Sequence, residues 1–198
     1  MKQTNQATSK LNVQIKIALL GTIAFLLMFL EFPILPAAPF LKIDFSDLPA
    51  LLGTFALGPI AGIAVELIKN ILVVLIKGTS TAGIGEFANF VIGAVWVIVA
   101  GFIYKRNRTI KGAILGLSLG TIALTIAGLL GNYYIFLPLY NKIVPVLSPE
   151  IINYLVTIIL PFNLIKGVGV SVVTLVLYKK VSPILYNETT INAKKITN

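Results

Sequence analysis

The stretch Lys105-Arg106-Asn107-Arg108-Thr109-Ile110-Lys111 carries four cations and separates two long hydrophobic runs of this chain. Two further groups of cations lie near the chain ends. The three groups hold eleven of the sixteen Lys and Arg residues: the stretch above, Lys2, Lys10 and Lys16 in an N-terminal arm, and Lys179, Lys180, Lys194 and Lys195 in a tail. Positive charge in loops is retained on the cytoplasmic side of a membrane. The pattern therefore predicts a membrane protein and also its orientation.

The composition supports this class. The 198 residues are 57% hydrophobic and 12% charged, with a mean hydropathy of +0.95, whereas a soluble domain is about 45–50% apolar and about 25% charged. The net charge is +9, and most of the cations lie at predicted helix ends. A nucleic-acid-binding protein would instead carry them on one face with aromatic residues between them, so we predict no nucleic-acid partner. Cys and His are absent. Disulfides, Cys/His metal sites and catalytic pairs that use His or Cys are thereby excluded.

Six hydrophobic segments predict an all-α integral membrane protein with six transmembrane helices and both termini in the cytoplasm. They cover about 12–32, 47–57, 60–77, 84–104, 109–135 and 150–178. The second is too short to cross as a straight helix, because a crossing needs about 20 residues. A re-entrant second segment would place the tail outside, which the lysines of the tail disfavour.

These segments predict a single membrane domain over residues 1–182, including an N-terminal arm over 1–11. A polar cytoplasmic tail follows over 183–198. The first hydrophobic run lacks a small-residue cleavage site, so we expect a retained helix and not a signal peptide. The expected location is the plasma membrane, with several crossings.

Small residues form ridges on two segments. Segment five carries Gly112, Gly116 and Gly120 at spacings of four, which lets another backbone approach closely. Packing within this protein is favoured there over an interface with another subunit. Segment one carries a shorter stripe of Ala18, Gly21 and Thr22, for which core packing and docking of a partner are equally supported.

Ionisable residues inside two segments indicate buried polar chemistry, because such residues are costly in a membrane. In segment three, Glu66 lies one turn from both Lys69 and Asn70, and a self-neutralised pair is favoured over a proton relay. Lys166 lies mid-way along segment six without an acidic neighbour on its own helix. A buried ammonium must be paired, deprotonated or hydrated, and the candidate partners are Glu86, Glu31, Asp44 or a bound ligand.

Further polar residues are expected at the depth of Lys166, on the outer side. They are Asn163 on the same helical face, Glu86 and Asn89 at the start of segment four, and Asn132 near the outer end of segment five. The Pro-rich loop 33–46 emerges on this side and contributes Phe40, Lys42 and Asp44. Each Asn alone has an alternative role in an interhelical hydrogen bond. Together these residues predict a polar cavity that opens outward beneath a loop.

The loop and two later motifs carry a family resemblance. Phe32-Pro33-Ile34-Leu35-Pro36, Phe40-Leu41-Lys42-Ile43-Asp44-Phe45-Ser46-Asp47-Leu48-Pro49, Leu57-Gly58-Pro59-Ile60-Ala61-Gly62 and Asn163-Leu164-Ile165-Lys166-Gly167 resemble the riboflavin-specific substrate-binding (S) components of energy-coupling factor (ECF) vitamin transporters. The resemblance covers nearly all of residues 12–180.

This resemblance implies a high-affinity riboflavin binder without enzymatic activity. Riboflavin would be a transported ligand and not a resident cofactor, and a transmembrane coupling subunit with two cytoplasmic ATPases would be the partners. The chain itself has no Gly-x-x-x-x-Gly-Lys-Ser/Thr phosphate loop. The family's Ala-x-x-x-Ala docking motif corresponds here to Ala18-x-x-x-Thr22, which departs at the second position. Alternatives are an S component for another vitamin, an ion-coupled transporter that uses Glu66 and Lys69, and a membrane scaffold.

Overall fold

The structure, a computed structural model, describes residues 2–35, 38, 41–143 and 151–194. Its regular elements are helices and one short antiparallel hairpin. In chain order they are α1 (Lys2–Leu27) with a 3-10 turn (Met28–Leu30), β1 (Phe32–Pro33), β2 (Lys42–Ile43), α2 (Asp47–Leu57), α3 (Pro59–Leu72) with a π-helical turn (Val73–Lys77), α4 (Ile84–Arg106), α5 (Ile110–Gly131) with a π-helical turn (Asn132–Phe136), α6 (Leu137–Ile143), α7 (Ile151–Tyr154) with a π-helical turn (Leu155–Ile159), and α8 (Leu160–Lys194).

Five helical stretches of the described chain are long and apolar enough to cross a membrane. They are Lys10–Leu30, Pro59–Lys77, Ile84–Arg106, Ile110–Ile143 and Ile151–Tyr178. Together with the shorter apolar helix α2, they correspond to the six predicted segments and confirm the all-α membrane bundle. Helical backbone also extends through most of the predicted arm and tail, because α1 begins at Lys2 and α8 ends at Lys194.

Helix α2, the short second segment, lies at the centre of the bundle. It packs against α1, α3, α4 and α8, and its residues from Asp47 to Phe55 are all buried. Its eleven residues span only about 16 Å, roughly half of a hydrocarbon core of about 30 Å. The chain just before α2 fills the other half, since Asp44 and Ser46 are also buried. Irregular backbone is tolerated at this depth because protein surrounds it.

The inner end of α2 lies at the end of the bundle that carries the cationic stretch. Gly58 has φ +106°, a conformation that glycine adopts without steric cost, and Pro59 begins α3, where a missing N–H leaves no hydrogen bond unmade. Tyr104, near the end of α4, lines a cavity at this bend. The Tyr104 hydroxyl is hydrogen-bonded to that of Tyr178 in α8. The second segment therefore reaches the same end of the bundle as residues 105–111, and it is not re-entrant.

The glycine ridge of α5 packs inside the protein. A Cβ on Gly116 would lie 2.8 Å from the carbonyl oxygen of Ala100, and a Cβ on Gly120 would lie 2.7 Å from the indole of Trp96. Gly112 sits against the backbone of the preceding loop. The prediction that this ridge serves packing within the chain is confirmed, because the close neighbours of Gly116 and Gly120 belong to α4.

Single cysteines test the predicted orientation, since the natural chain has none. Asn107 and Ser80 are exposed at opposite ends of the bundle, and both are uncharged, so replacing them leaves the charge asymmetry unchanged. In intact cells we expect Ser80→Cys to react with an impermeant maleimide and Asn107→Cys to remain unlabelled. Both variants should react after the membrane is permeabilised. Labelling of Asn107→Cys in intact cells would contradict a cytoplasmic 105–111 loop.

Candidate ligand-binding site

A network of buried ion pairs forms where α2 begins. The carboxylate of Asp47 bridges two lysines: its Oδ1 accepts a hydrogen bond from Lys69 Nζ at 2.6 Å, and its Oδ2 lies 2.8 Å from Lys166 Nζ. Lys69 Nζ is also 2.6 Å from Glu66 Oε2, and Lys166 Nζ is 3.9 Å from Asp44 Oδ2. All five side chains are at most 8% exposed. Asp47 thus joins α2 to α3 and to α8.

This network corrects the partners that were predicted for Lys166. Its closest partner is Asp47, which was not among the predicted partners, and its contact with the predicted partner Asp44 is longer. The other predicted partners, Glu86 and Glu31, make different contacts nearer the cavity mouth. Asp47 was missed because an acidic residue at the start of a hydrophobic segment normally lies at the membrane surface. The short α2 instead places it deep in the bundle.

An inner cavity of about 130 Å³ adjoins this network. It lies among the loop before α2, the first turns of α4, the turn between α5 and α6, and the start of α8. Its polar lining includes Lys42, Asp47, Thr81, Asn89, Asn132, Tyr140, Asn163 and Lys166, and its apolar lining includes Leu41, Ile92, Leu124, Phe136 and Phe162. The cavity therefore combines apolar walls with several convergent polar groups, which is the usual composition of a small-molecule site.

An outer cavity of about 470 Å³ adjoins the inner one. The two share the lining residues Lys42, Thr81, Gly85 and Asn89. Small-molecule sites typically measure about 300–1,000 Å³, so the outer cavity alone falls within that range. The pair of cavities forms a path from the deep network to the end of the bundle opposite residues 105–111.

Two asparagines reach the inner cavity from helices that contain π-helical turns. Asn132 Nδ2 donates to the carbonyl of Gly128 at 2.8 Å, and Asn163 Nδ2 donates to that of Ile159 at 2.8 Å. Each hydrogen bond lies within one helix, so the interhelical role considered for these residues is not the one observed. A Cβ on Gly128 would lie 2.7 Å from Asn163 Nδ2. The absence of a side chain at Gly128 therefore makes room for Asn163 beside α5.

Asn89 is a lining residue with unmet hydrogen-bonding capacity among the described residues. Its Oδ1 is buried and has no hydrogen-bond partner in the described part of the chain, and the side chain lines both cavities. A buried acceptor without a partner costs about 1–3 kcal/mol. A ligand donor placed at the junction of the two cavities would remove that cost.

The cavity mouth has its own ion pairs. Glu31, which follows α1, accepts hydrogen bonds at 2.6 Å from Lys42 of the hairpin and from Lys77 at the end of α3. Partial burial alone would raise the pKa of Glu31, but the hydrogen bonds and positive charges of Lys42 and Lys77 outweigh that effect and lower the pKa below its ordinary value. The hairpin is thereby held over the cavity by a charged carboxylate.

Glu86 forms a second polar cluster at the mouth. Its Oε2 accepts hydrogen bonds from the Thr79 hydroxyl at 2.8 Å and the Thr81 hydroxyl at 3.2 Å. These contacts fold the 78–83 loop onto the first turn of α4. Glu86 lines the outer cavity and not the inner one, so it is placed to act at the entrance.

The structure brings seven of the eight predicted ligand residues around the two cavities. Lys42, Asn89, Asn132, Asn163 and Lys166 line the inner cavity, and Asp44 and Glu86 line the outer one. Phe40 lies outside the described residues. Three further lining residues, Asp47, Thr81 and Tyr140, were not predicted, and Glu31 was predicted only as a partner of Lys166. Thr81 and Tyr140 carry no signal in the sequence pattern, because their place on the cavity follows from helix packing.

The predicted docking stripe on α1 divides into two parts. Ala18 and Thr22 are exposed on the face of α1 that points away from the bundle. The Thr22 hydroxyl donates to the Ala18 carbonyl at 2.9 Å. Gly21 instead faces α3, where a Cβ would lie 2.6 Å from Ile68 Cγ2. Gly21 is therefore a packing residue and is not available to a partner, which corrects its assignment to the docking face.

Comparisons with known proteins agree with this geometry. Residues 13–178 match the sequence model of the family "ECF transporter, substrate-specific component". The chain is 43% identical over 185 residues to the riboflavin transporter RibU of Staphylococcus aureus (strain TCH60), with 89% of this chain and 96% of the relative covered. It is 41% identical over 179 residues to the riboflavin transporter FmnP of Bacillus subtilis (strain 168), with 88% and 94% covered. A solved S component of a bacterial ECF transporter superposes with a TM-score of 0.76 at 41% identity, covering 89% of this chain and 98% of that chain.

The buried network can be tested through Lys69, which is fully buried and lines neither cavity. Lys69→Met removes the lysine that pairs with Glu66 and one of the two lysines that pair with Asp47. We expect the free energy of unfolding to fall by about 3–5 kcal/mol, the cost of leaving one side of a buried ion pair uncompensated. Titration with SDS in micelles, monitored by circular dichroism without ligand, measures this change.

Lys77→Met is the matched control, because Lys77 lies in the same transmembrane stretch but in an exposed ion pair. It should cost less than about 1 kcal/mol. Adding Glu66→Gln to Lys69→Met should recover part of the lost stability. Equal effects of the two lysine variants would show that the deep network contributes no more than a surface pair.

Proposed function

This chain belongs to the substrate-specific (S) components of ECF transporters, and we propose that it captures riboflavin on the outer side of the plasma membrane. The observation that carries the proposal is the identity of 41–43% to riboflavin transporters over at least 88% of the chain, combined with the cavity described above. The protein is a multi-pass transport protein. A transmembrane coupling subunit and two cytoplasmic ATPases are its partners, and they supply the energy for uptake.

The two adjoining cavities together have a lining that suits a flavin. The isoalloxazine ring is flat and largely apolar at one end, where Phe136, Phe162 and Leu124 offer apolar surface. Its other end carries amide-like donors and acceptors, and an Asn amide offers both functions. Asn89, Asn132 and Asn163 supply such amides. The ribityl hydroxyls require polar partners as well.

The deep network supplies partners for those hydroxyls. Lys166 lines the inner cavity while one side of its ammonium is held by Asp47. An ammonium has three donors, so Lys166 can pair with Asp47 and still donate to a ligand oxygen. Asp44 lies farther out and lines the outer cavity. Lys166 thus has a structural role and a ligand role together.

The same network argues against ion-coupled transport through Glu66 and Lys69. Both side chains are 0% exposed, and Lys69 is held at 2.6 Å by Asp47 as well as by Glu66. A relay needs a route to water on both sides, and neither residue lines either cavity. These contacts support a structural role for the pair.

The proposal predicts that the purified protein, freed of copurified ligand, binds riboflavin with one site per chain. Asn89→Leu should weaken binding roughly two- to tenfold, which corresponds to the loss of one net hydrogen bond of about 0.5–1.5 kcal/mol. It should leave the unfolding temperature without ligand unchanged or raised, since the buried Asn89 Oδ1 has no described partner to lose. Quenching of flavin fluorescence measures the affinity.

Asn153→Leu is the control, because the same substitution is made at an exposed position of α7 that lines neither cavity. It should bind riboflavin normally. Tight binding of another vitamin with none of riboflavin would refute the ligand assignment and favour the alternative S component. Normal binding by Asn89→Leu would remove Asn89 from the site without affecting the identity of the ligand.

Docking of the coupling subunit is assigned to the face of α1 that contains Ala18 and Thr22. These two small residues lie in an otherwise bulky exposed stripe that includes Leu11, Ile15 and Leu26, and small residues let another helix approach closely. Thr22→Trp should therefore leave riboflavin affinity unchanged and reduce riboflavin uptake by cells at least severalfold.

Ile122→Trp is the control for Thr22→Trp, since Ile122 is exposed on α5. It should support normal uptake. Loss of riboflavin binding by purified Thr22→Trp would show that this face is needed for folding of the site and would contradict the docking assignment.

A further inference from the structure

A third cavity, of about 340 Å³, lies at the end of the bundle opposite the ligand site. The bend between α2 and α3 forms one side of it, from Thr54 to Ile60. The end of α4 and the following loop form the other side with Gly101, Tyr104, Lys105 and Arg108. This third cavity shares no lining residue with the inner or the outer cavity of the ligand site. Riboflavin capture therefore does not account for it.

Two features of this third cavity attract an anion. Lys105 and Arg108 line it, and the described lining residues include no carboxylate. The fourteen-residue helix α3 begins at Pro59 without a side-chain cap, and the N-terminus of a helix carries partial positive charge.

The position of the cavity selects the kind of anion. Ile60, in its lining, is 83% exposed, and Phe102, on the adjoining turn of α4, is 58% exposed. Apolar side chains with such exposure in a transmembrane bundle face acyl chains. The cavity therefore lies where the apolar surface meets the cationic stretch, at the depth of lipid headgroups on the predicted cytoplasmic side. Basic pockets between helices on that side are known binding places for anionic headgroups.

We propose that the cavity at the α2–α3 bend binds the phosphate group of an anionic phospholipid of the cytoplasmic leaflet. Arg108 and Lys105 contact the phosphate, and the acyl chains lie along Ile60 and Phe102. Because α2 carries Asp47 at its other end, a lipid held at the bend also braces the helix on which the deep ion-pair network depends. Neither the family assignment nor riboflavin binding requires this site.

The test uses the full chain in micelles supplemented with phosphatidylglycerol or phosphatidylcholine. Native mass spectrometry counts retained lipids, and thermal melting reports stabilisation. Phosphatidylglycerol should be retained preferentially and should raise the melting temperature. Arg108→Gln and Lys105→Gln should each weaken retention roughly fivefold, the loss expected for one cation near an anionic lipid.

Lys111→Gln is the matched control, because Lys111 belongs to the same cationic stretch and is exposed but does not line the cavity. It should retain the lipid. Equal losses in all three variants would overturn the site in favour of general surface attraction, and so would equal retention of the two lipids. Stabilisation of equal size by inorganic phosphate or glycerol phosphate would overturn the lipid assignment.

Riboflavin affinity of the three variants separates this proposal from the assigned function. The riboflavin affinity should be unchanged, because none of the substituted residues lines the inner or the outer cavity. Normal lipid retention by Arg108→Gln combined with poor assembly onto the coupling subunit would assign the cavity to the protein interface instead and would refute the lipid site.

Discussion

The bridge formed by the Asp47 carboxylate between Lys69 and Lys166 is the interaction on which the rest of the structure depends. Transfer of an ion into a membrane protein interior costs several kcal/mol, and close pairing is what offsets that cost. Two lysines on different helices can share one carboxylate only if it lies between them. The start of α2 supplies it at 2.6 Å from one ammonium and 2.8 Å from the other. The N-terminal position in α2 also favours a negative charge.

The short length of α2 follows from this requirement. Its first turn must lie at the depth of Lys69 and Lys166, while its last residue must reach the bend at Gly58 on the inner side. A full-length helix would place residue 47 at the outer surface and would leave the two lysines without their shared partner. Because α2 has only half that length, the hairpin and residues 44–46 occupy the space above it in the outer half of the bundle. The cavities occupy the space beside that irregular backbone.

The helices around the cavities also depart from regular geometry. Two π-helical turns, Asn132–Phe136 and Leu155–Ile159, precede prolines 138 and 161 by two residues. Proline removes one helical hydrogen bond and its ring collides with the carbonyl four residues earlier, and a wider turn relieves that collision. Such turns often occur at functional sites. Here they surround the inner cavity, where Asn132, Phe136 and Phe162 contribute to its lining.

The two ends of the bundle carry charge in different ways. At the outer end, Glu31 pairs with Lys42 and Lys77, and Glu86 binds threonine hydroxyls, so charge is balanced locally around the mouth. At the inner end, Lys105, Arg106, Arg108 and Lys111 are all exposed on one connection. Balanced charge suits an entrance for a neutral vitamin. A connection whose sequence holds four cations and no acidic residue suits a surface that meets anionic headgroups.

Sequence alone determined the membrane class, the six segments and the packing role of the α5 glycines, because hydropathy, charge position and small-residue spacing are local properties of the chain. It also indicated most residues of the candidate site, since Asn and Lys inside apolar runs are conspicuous. Only the tertiary structure decided what these residues contact. The depth of Asp47, the inward direction of Gly21 and the presence of Thr81 and Tyr140 on the cavity depend on how far each helix extends and how it is rotated against its neighbours. Those quantities arise from packing between distant segments, which no local pattern encodes.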